Sequence, residues 1–243
     1  PLITDNQNVE FARRIDFGGQ VLVLDGLSGT GKTMLAPILS SMKRVEIHRI
    51  EHIYEYVSGI NYLNGMDDKA TVQLIQMYIG LAFYNSMLGR ETNFRWKDLT
   101  GVLNNPGGWR YLLRLFRPDG DLAVERMNQD RPILHIVSHQ MLGIGHRLFD
   151  ALGDRLTVVE AVRHPLHLLS HWYSYIDRHG TDPREFTVLL SNNNQALPWF
   201  VKGWESKYVG SEKMDKVIYS LDYIATLSER FVDTLEKQRR NQV

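Results

Sequence analysis

The segment Gly26-Leu27-Ser28-Gly29-Thr30-Gly31-Lys32-Thr33 follows the pattern G-x-x-x-x-G-K-[ST] in full, directly after the apolar run Gln20-Val21-Leu22-Val23-Leu24-Asp25. Such a run suits a strand buried on both faces. A helix should follow from Thr33 to about Met42, kinked at Pro37, which lacks the backbone N–H the helix needs. Strand, glycine loop and helix together make an anion cradle: the glycines let backbone N–H groups wrap a phosphate, the helix start adds positive potential, and Lys32 supplies a full charge. Gly26, Ser28, Gly29, Thr30, Gly31, Lys32 and Thr33 are therefore the expected nucleotide-phosphate set, with the Thr33 hydroxyl available to a metal or phosphate oxygen. The alternative is a glycine-rich turn with no ligand.

The rest of the chain alternates in the same way. Val45 to Ile50, Ile133 to Val137, Leu156 to Val162 and Val217 to Tyr219 read as strands. Ala70 to Leu88, Gly145 to Leu152 and Leu221 to Arg239 read as helices, the first from Val72, Ile75, Ile79 and Phe83 at helical spacing. Between Thr92 and Asp130 the pattern is broken by Asn104-Asn105-Pro106-Gly107-Gly108 and Pro118-Asp119-Gly120, leaving an amphipathic stretch from Trp109 to Phe116 that is expected to cap the substrate side. Alternation predicts an α/β, three-layer P-loop fold with a central parallel sheet flanked by helices, forming one domain over residues 1–243. Ligands of such sheets sit at the carboxyl ends of the strands, and Gly26, Glu51, His139 and Arg163 fall at or just after those ends. The charged stretch Glu236 to Arg240 reads as a solvated face.

Lys and Arg number 28 against 28 Asp and Glu, so no global field points to nucleic acid or an acidic membrane surface, and any anion must be held locally. The cysteine count of 0 excludes thiolate catalysis, disulfides and Cys-based zinc sites. No apolar run approaches the roughly 18 residues of a membrane helix and Pro1 to Gln20 has no signal pattern, so the expected location is the cytoplasm, with a targeting or anchor segment upstream of Pro1 left open. Glu46, His48 and His52 lack metal-ligand spacing, so no metal is expected there. Oligomeric state is not set by the sequence.

A second constellation lies in Ala161-Val162-Arg163-His164-Pro165, followed by Ser170, Tyr173 and Ser174. An Arg at a strand end and a hydroxyl on the next helix make a second anion site, because the guanidinium fork matches phosphate oxygens. The alternative is an Arg that only bridges strand ends. With these residues in view, the chain resembles the sulfotransferase superfamily, whose donor is 3'-phosphoadenosine-5'-phosphosulfate (PAPS). The resemblance runs from about Gln20 to Arg230 through the phosphate loop, Glu51, Pro132 to His139, Val162 to Ser174, and Trp204 to Tyr208 before Asp215 to Tyr223. It implies that Arg163, with Ser170 or Ser174, binds the cofactor's 3'-phosphate. It also implies that His139 serves as base, or Glu51 as in the glycan-modifying branch. The loop itself, with Gly29 in its middle and Lys32 near its end, is patterned like that of a kinase.

Three readings follow. The first is sulfuryl transfer from PAPS to a hydroxyl or amine of a small-molecule or glycan acceptor, using Lys32 and His139 or Glu51 for the chemistry. The second is an ATP- and Mg-dependent small-molecule or sugar kinase, with Lys32 on the phosphates, Glu51 or Asp25 positioning metal or acceptor, and arginines between Arg110 and Arg131 as a lid. Against it, no later strand ends in Asp, and Glu160 falls in mid-strand. The third is a nucleotide-binding protein without transfer activity. Trp96, Trp109, Trp172 and Trp199 read either as acceptor pocket or as core.

Overall fold

The computed structural model describes residues 10–12, 16–118 and 120–240, with the side chains of 236–240 excepted. Parts of the expected 1–243 domain, Asp119 of the Pro118-Asp119-Gly120 turn, and the side chains of the charged stretch Glu236 to Arg240 lie outside the described residues.

β1 (Gln20–Asp25) is the strand expected, and its alternation explains the layers. Val21 and Val23 enter one core with residues of α2 (Ile53–Tyr62), α3 (Asp68–Leu88), α5 (Asp121–Asp130) and α6 (His146–Leu152). Leu22 and Leu24 enter another beneath α1 (Lys32–Ser40). The parallel sheet has the order β2-β3-β1-β4, with β2 (Arg49–Ile50), β3 (Ile133–Val137) and β4 (Leu156–Glu160). The result is a central four-stranded parallel sheet flanked by helices. α3 starts where the Asp67 side chain accepts from Ala70 N at 3.0 Å and stops at Gly89 with φ 70°. α1 runs through Pro37 without ending there.

Several expectations are corrected. The strand expected over Val45 to Ile50 is interrupted: Val45 bridges to Ile133, but Ile47 N donates to the Tyr111 hydroxyl at 2.7 Å and His48 N to Ser40 Oγ at 3.0 Å. Side chains thus take the donors a sheet ladder would use, and regular pairing resumes only at Arg49. β4 ends at Glu160 rather than Val162, so Glu160 stands at the strand's carboxyl end beside Asp25, and Val162 is 84% exposed. Val217 to Tyr219 is no strand. It belongs to α9 (Lys213–Arg240), where Val217, Leu221, Ile224 and Phe231 bury one helical face. A hairpin of β5 (Leu189–Asn192) and β6 (Gln195–Pro198), absent from the sequence reading, turns through Asn193 and Asn194 at φ 47° and 64°.

In the Thr92 to Asp130 region, α4 (Trp109–Arg114) covers most of the expected amphipathic stretch. Arg114 forms a buried bidentate pair with Glu46, Nη1 to Oε2 at 2.6 Å and Nη2 to Oε1 at 2.9 Å, and the Tyr111 hydroxyl donates to the same carboxylate. Burial opposes the Glu46 charge, but the hydrogen bonds and charge of Arg114 outweigh it and hold the pKa below the ordinary carboxylate value. Trp172 and Trp199 are core, at 0% and 6% exposure, whereas Trp96 and Trp109 stand at 76% and 67%.

Candidate functional site

The glycine loop leaves β1 at Gly26, where φ is 137° and a Cβ would lie 2.4 Å from the Ala161 carbonyl oxygen. Only glycine allows both the conformation and this approach to the end of β4. At Gly29 (φ 90°) a Cβ would lie 2.8 Å from His171 Cδ2, because α7 (Leu166–Tyr175) packs across the loop. That helix grips it twice: Trp172 Nε1 donates to Ser28 O at 3.0 Å, and the Ser28 hydroxyl pairs with His171 Nε2 at 3.0 Å. Burial lowers the His171 pKa, and the charges of Lys32 and Arg163 lower it further. His171 escaped the sequence reading although its i+4 partner Tyr175 and its neighbour Trp172 mark that face as packed.

Lys32 is buried at 5% exposure and donates to Gly26 O at 2.6 Å and Leu27 O at 2.9 Å. Burial depresses its pKa, opposed by the charges of Asp25, Glu160 and Glu55. The loop's own carbonyls thus hold the cation a phosphate would claim. Thr30 Oγ1 likewise donates to Leu27 O at 2.9 Å.

The sheet order sets what flanks the loop. On the β4 side, Arg163 donates to Gly29 O at 3.0 Å, which anchors an exposed guanidinium at the loop's edge. Ser170 and Ser174 are exposed on α7, and Ser174 Oγ donates to His171 O at 2.6 Å. Neither serine is hydrogen-bonded to Arg163 among the described residues.

On the β3 side, Ser138 N donates to Leu24 O at 3.0 Å and Gln140 N to Gly26 O at 3.2 Å, so His139 is held against the first residue of the loop. Its partner is Glu55, not Glu51. Glu55 Oε1 accepts from His139 N at 2.8 Å and lies 3.2 Å from His139 Nδ1, while Oε2 lies 3.3 Å from His52 Nδ1. Burial opposes the Glu55 charge, but the bonds from His139 and His52 prevail, and its pKa falls. The bond to Glu55 raises the His52 pKa against the opposing effect of burial. Glu51 turns away to pair with Arg49 Nε at 2.9 Å, lining a separate cavity of about 510 Å³ with Tyr54 and Glu91; burial raises its pKa.

Of the carboxylates beside the loop, Asp25 is taken up by the end of β3. Asp25, at 0% exposure, accepts from Ser138 Oγ at 2.9 Å, Met141 N at 2.9 Å and Leu142 N at 2.6 Å. The pKa of Glu160 is raised, by burial first and by the Asp25 charge second, against the opposing charge of Lys32. Of the trio Glu46, His48 and His52, the first is locked to Arg114 and the second is buried beside His135 with ring centroids 5.9 Å apart.

No protein-family model matches the chain, and neither a curated protein nor a solved structure matches it significantly. No described helix is long and apolar enough to cross a membrane.

Proposed function

We propose that the protein is a sulfotransferase-like P-loop enzyme that moves a sulfuryl group from PAPS to a hydroxyl or amine of a small-molecule or glycan acceptor. The observation that carries this reading is the arrangement about the loop: a guanidinium, Arg163, bound to its β4 edge and a histidine–carboxylate pair, His139–Glu55, on its β3 edge. The N–H groups of Gly26 to Thr33 and the Lys32 ammonium hold the 5' side of the donor, Lys32 leaving its loop carbonyls to do so. Arg163, with Ser170 or Ser174, takes the 3'-phosphate. His139, oriented by Glu55, accepts the proton of the acceptor as the acceptor–sulfur bond forms. The bond from sulfur to the 5'-phosphate oxygen breaks, leaving adenosine 3',5'-bisphosphate.

The intact G-x-x-x-x-G-K-[ST] pattern favours the second reading, an ATP-dependent kinase. The engagement of Asp25 and the turn of Glu51 towards Arg49 weigh against it, since phosphoryl transfer needs a carboxylate on the metal.

Calorimetry separates the two. Adenosine 3',5'-bisphosphate is expected to bind more tightly than ATP with Mg²⁺ and to be insensitive to a chelator. Arg163→Ala should weaken the bisphosphate by roughly tenfold to a hundredfold, the loss of one charge-assisted contact at about 1.5–3 kcal/mol, while adenosine 5'-monophosphate changes little. Equal weakening of both ligands removes the 3'-phosphate clamp, and Mg²⁺-dependent ATP binding without bisphosphate binding gives the protein to the kinase reading.

A further inference from the structure

We propose that His52, Glu55 and His139 form a transition-metal site, selective for Zn²⁺-like ions, and that loading it silences the histidine–carboxylate pair at the loop. The ligand atoms His52 Nδ1, His139 Nδ1 and a Glu55 oxygen all lie within 4.8 Å of one another. The two rings stack at 5.8 Å with 16° between their planes, so both turn the Nδ1 edge to the same carboxylate. The nitrogen-to-oxygen separations are 3.2 and 3.3 Å. Metal–ligand bonds of about 2.0–2.2 Å at tetrahedral angles put neighbouring ligand atoms roughly 3.3–3.6 Å apart, and each histidine already stands at about that distance from its own oxygen of the carboxylate, His139 from Oε1 and His52 from Oε2. The three ligand atoms lie within 4.8 Å, and rotation of the histidine side chains closes them around one ion.

The residues are also placed as ligands are. His52 directly precedes the first residue of α2 and Glu55 follows three residues on, one helical turn away, while His139 arrives from the end of β3. The His139 backbone N–H fixes Glu55 Oε1 at 2.8 Å, the kind of supporting bond that orients a ligating carboxylate. Side-chain exposures of 38% for His52, 30% for His139 and 18% for Glu55 leave the site open to an ion from solvent. Two imidazoles and one carboxylate suit zinc, cobalt or nickel rather than the all-oxygen preference of magnesium or calcium, and they leave a fourth position free.

Bound at both Nδ1 atoms, the ion takes the ring edges that face Glu55, and each neutral imidazole then carries its proton on Nε2. His139 can no longer accept a proton from an acceptor. This second consequence rests on the transfer reading above; the binding of the ion does not.

The test uses the tag-free full chain, stripped with a chelator, and titrated with Zn²⁺ by calorimetry and with Co²⁺ by visible absorption. One equivalent per chain is expected, with the d–d bands of a four-coordinate cobalt site, and excess Mg²⁺ should not displace it. His52→Ala and Glu55→Gln should each weaken binding roughly tenfold or more, with circular dichroism confirming that both variants fold. His164→Ala, in the exposed His164–His167 pair whose rings lie 5.9 Å apart, should leave binding intact. Absence of stoichiometric binding, unchanged affinity in folded His52→Ala and Glu55→Gln, or loss of binding in His164→Ala overturns the site. Metal binding as expected in a protein that fails the bisphosphate experiment upholds the site and overturns only its role as a switch on sulfuryl transfer.

Discussion

Asp25→Ala is expected to cost about 3–5 kcal/mol of folding stability, a large share of what a domain of this size possesses. The carboxylate is fully buried and collects three hydrogen bonds from the segment that leaves β3. Its removal leaves the N–H groups of Met141 and Leu142 and the Ser138 hydroxyl without an acceptor, and each buried unsatisfied group costs about 1–3 kcal/mol. Asp25→Asn keeps the shape but can present only one oxygen, so it should fall between alanine and the native residue. Urea denaturation reads both. A midpoint for Asp25→Ala equal to the native one would show that these bonds are not what fixes the segment. The same variants should disturb the site, because His139 lies between Ser138 and Gln140 on that segment.

Arg114→Met is expected to destabilise the fold by about 3–5 kcal/mol at neutral pH, since it leaves Glu46 charged and buried without its partner. The pH dependence carries a sign. In the native protein the folded pKa of Glu46 lies below its unfolded value, so the carboxylate's contribution is complete above the unfolded pKa and is lost as pH falls through the folded one. In the variant, burial is opposed only by the Tyr111 and Ser86 hydroxyls and the Arg110 charge, so the folded pKa rises above the native one and protonation costs the fold less. The stability gap between native protein and variant should therefore narrow on acidification from neutrality through the carboxylate range. A gap that is constant with pH would mean that Glu46 does not feel Arg114.

The sequence makes the glycine loop legible because its backbone demands are local: a buried strand, glycines at positive φ, and a helix directly after. Arg163 is legible for a similar reason, since an Arg just past an apolar strand has few places to go. Glu55 was hidden because α2 is too mixed in polarity to announce itself, with Glu55 between Tyr54 and Tyr56. The first carboxylate after the strand, Glu51, drew the assignment instead, although one further helical turn was needed to reach His139. His52 and Glu55 at i and i+3 were the available signal. α9 was cut in two because Val217-Ile218-Tyr219 looks like a strand when read alone. The burial of Val217 with Leu221, Ile224 and Phe231 becomes visible only over a longer window. The β5–β6 hairpin has its sign in Asn193-Asn194, residues that tolerate positive φ.

The indole of Trp172 is wholly enclosed, yet its nitrogen is tied to the carbonyl of Ser28 in the middle of the loop. Its emission is thus coupled to the conformation of Ser28 while being shielded from bulk solvent. Any ligand that draws the loop's N–H groups outward must turn or stretch that carbonyl, and the indole's hydrogen bond changes with it. Under the proposed reading of the loop as a phosphate site, Trp172 is therefore a built-in reporter among the chain's 5 tryptophans, and its share of the emission should shift as a ligand enters.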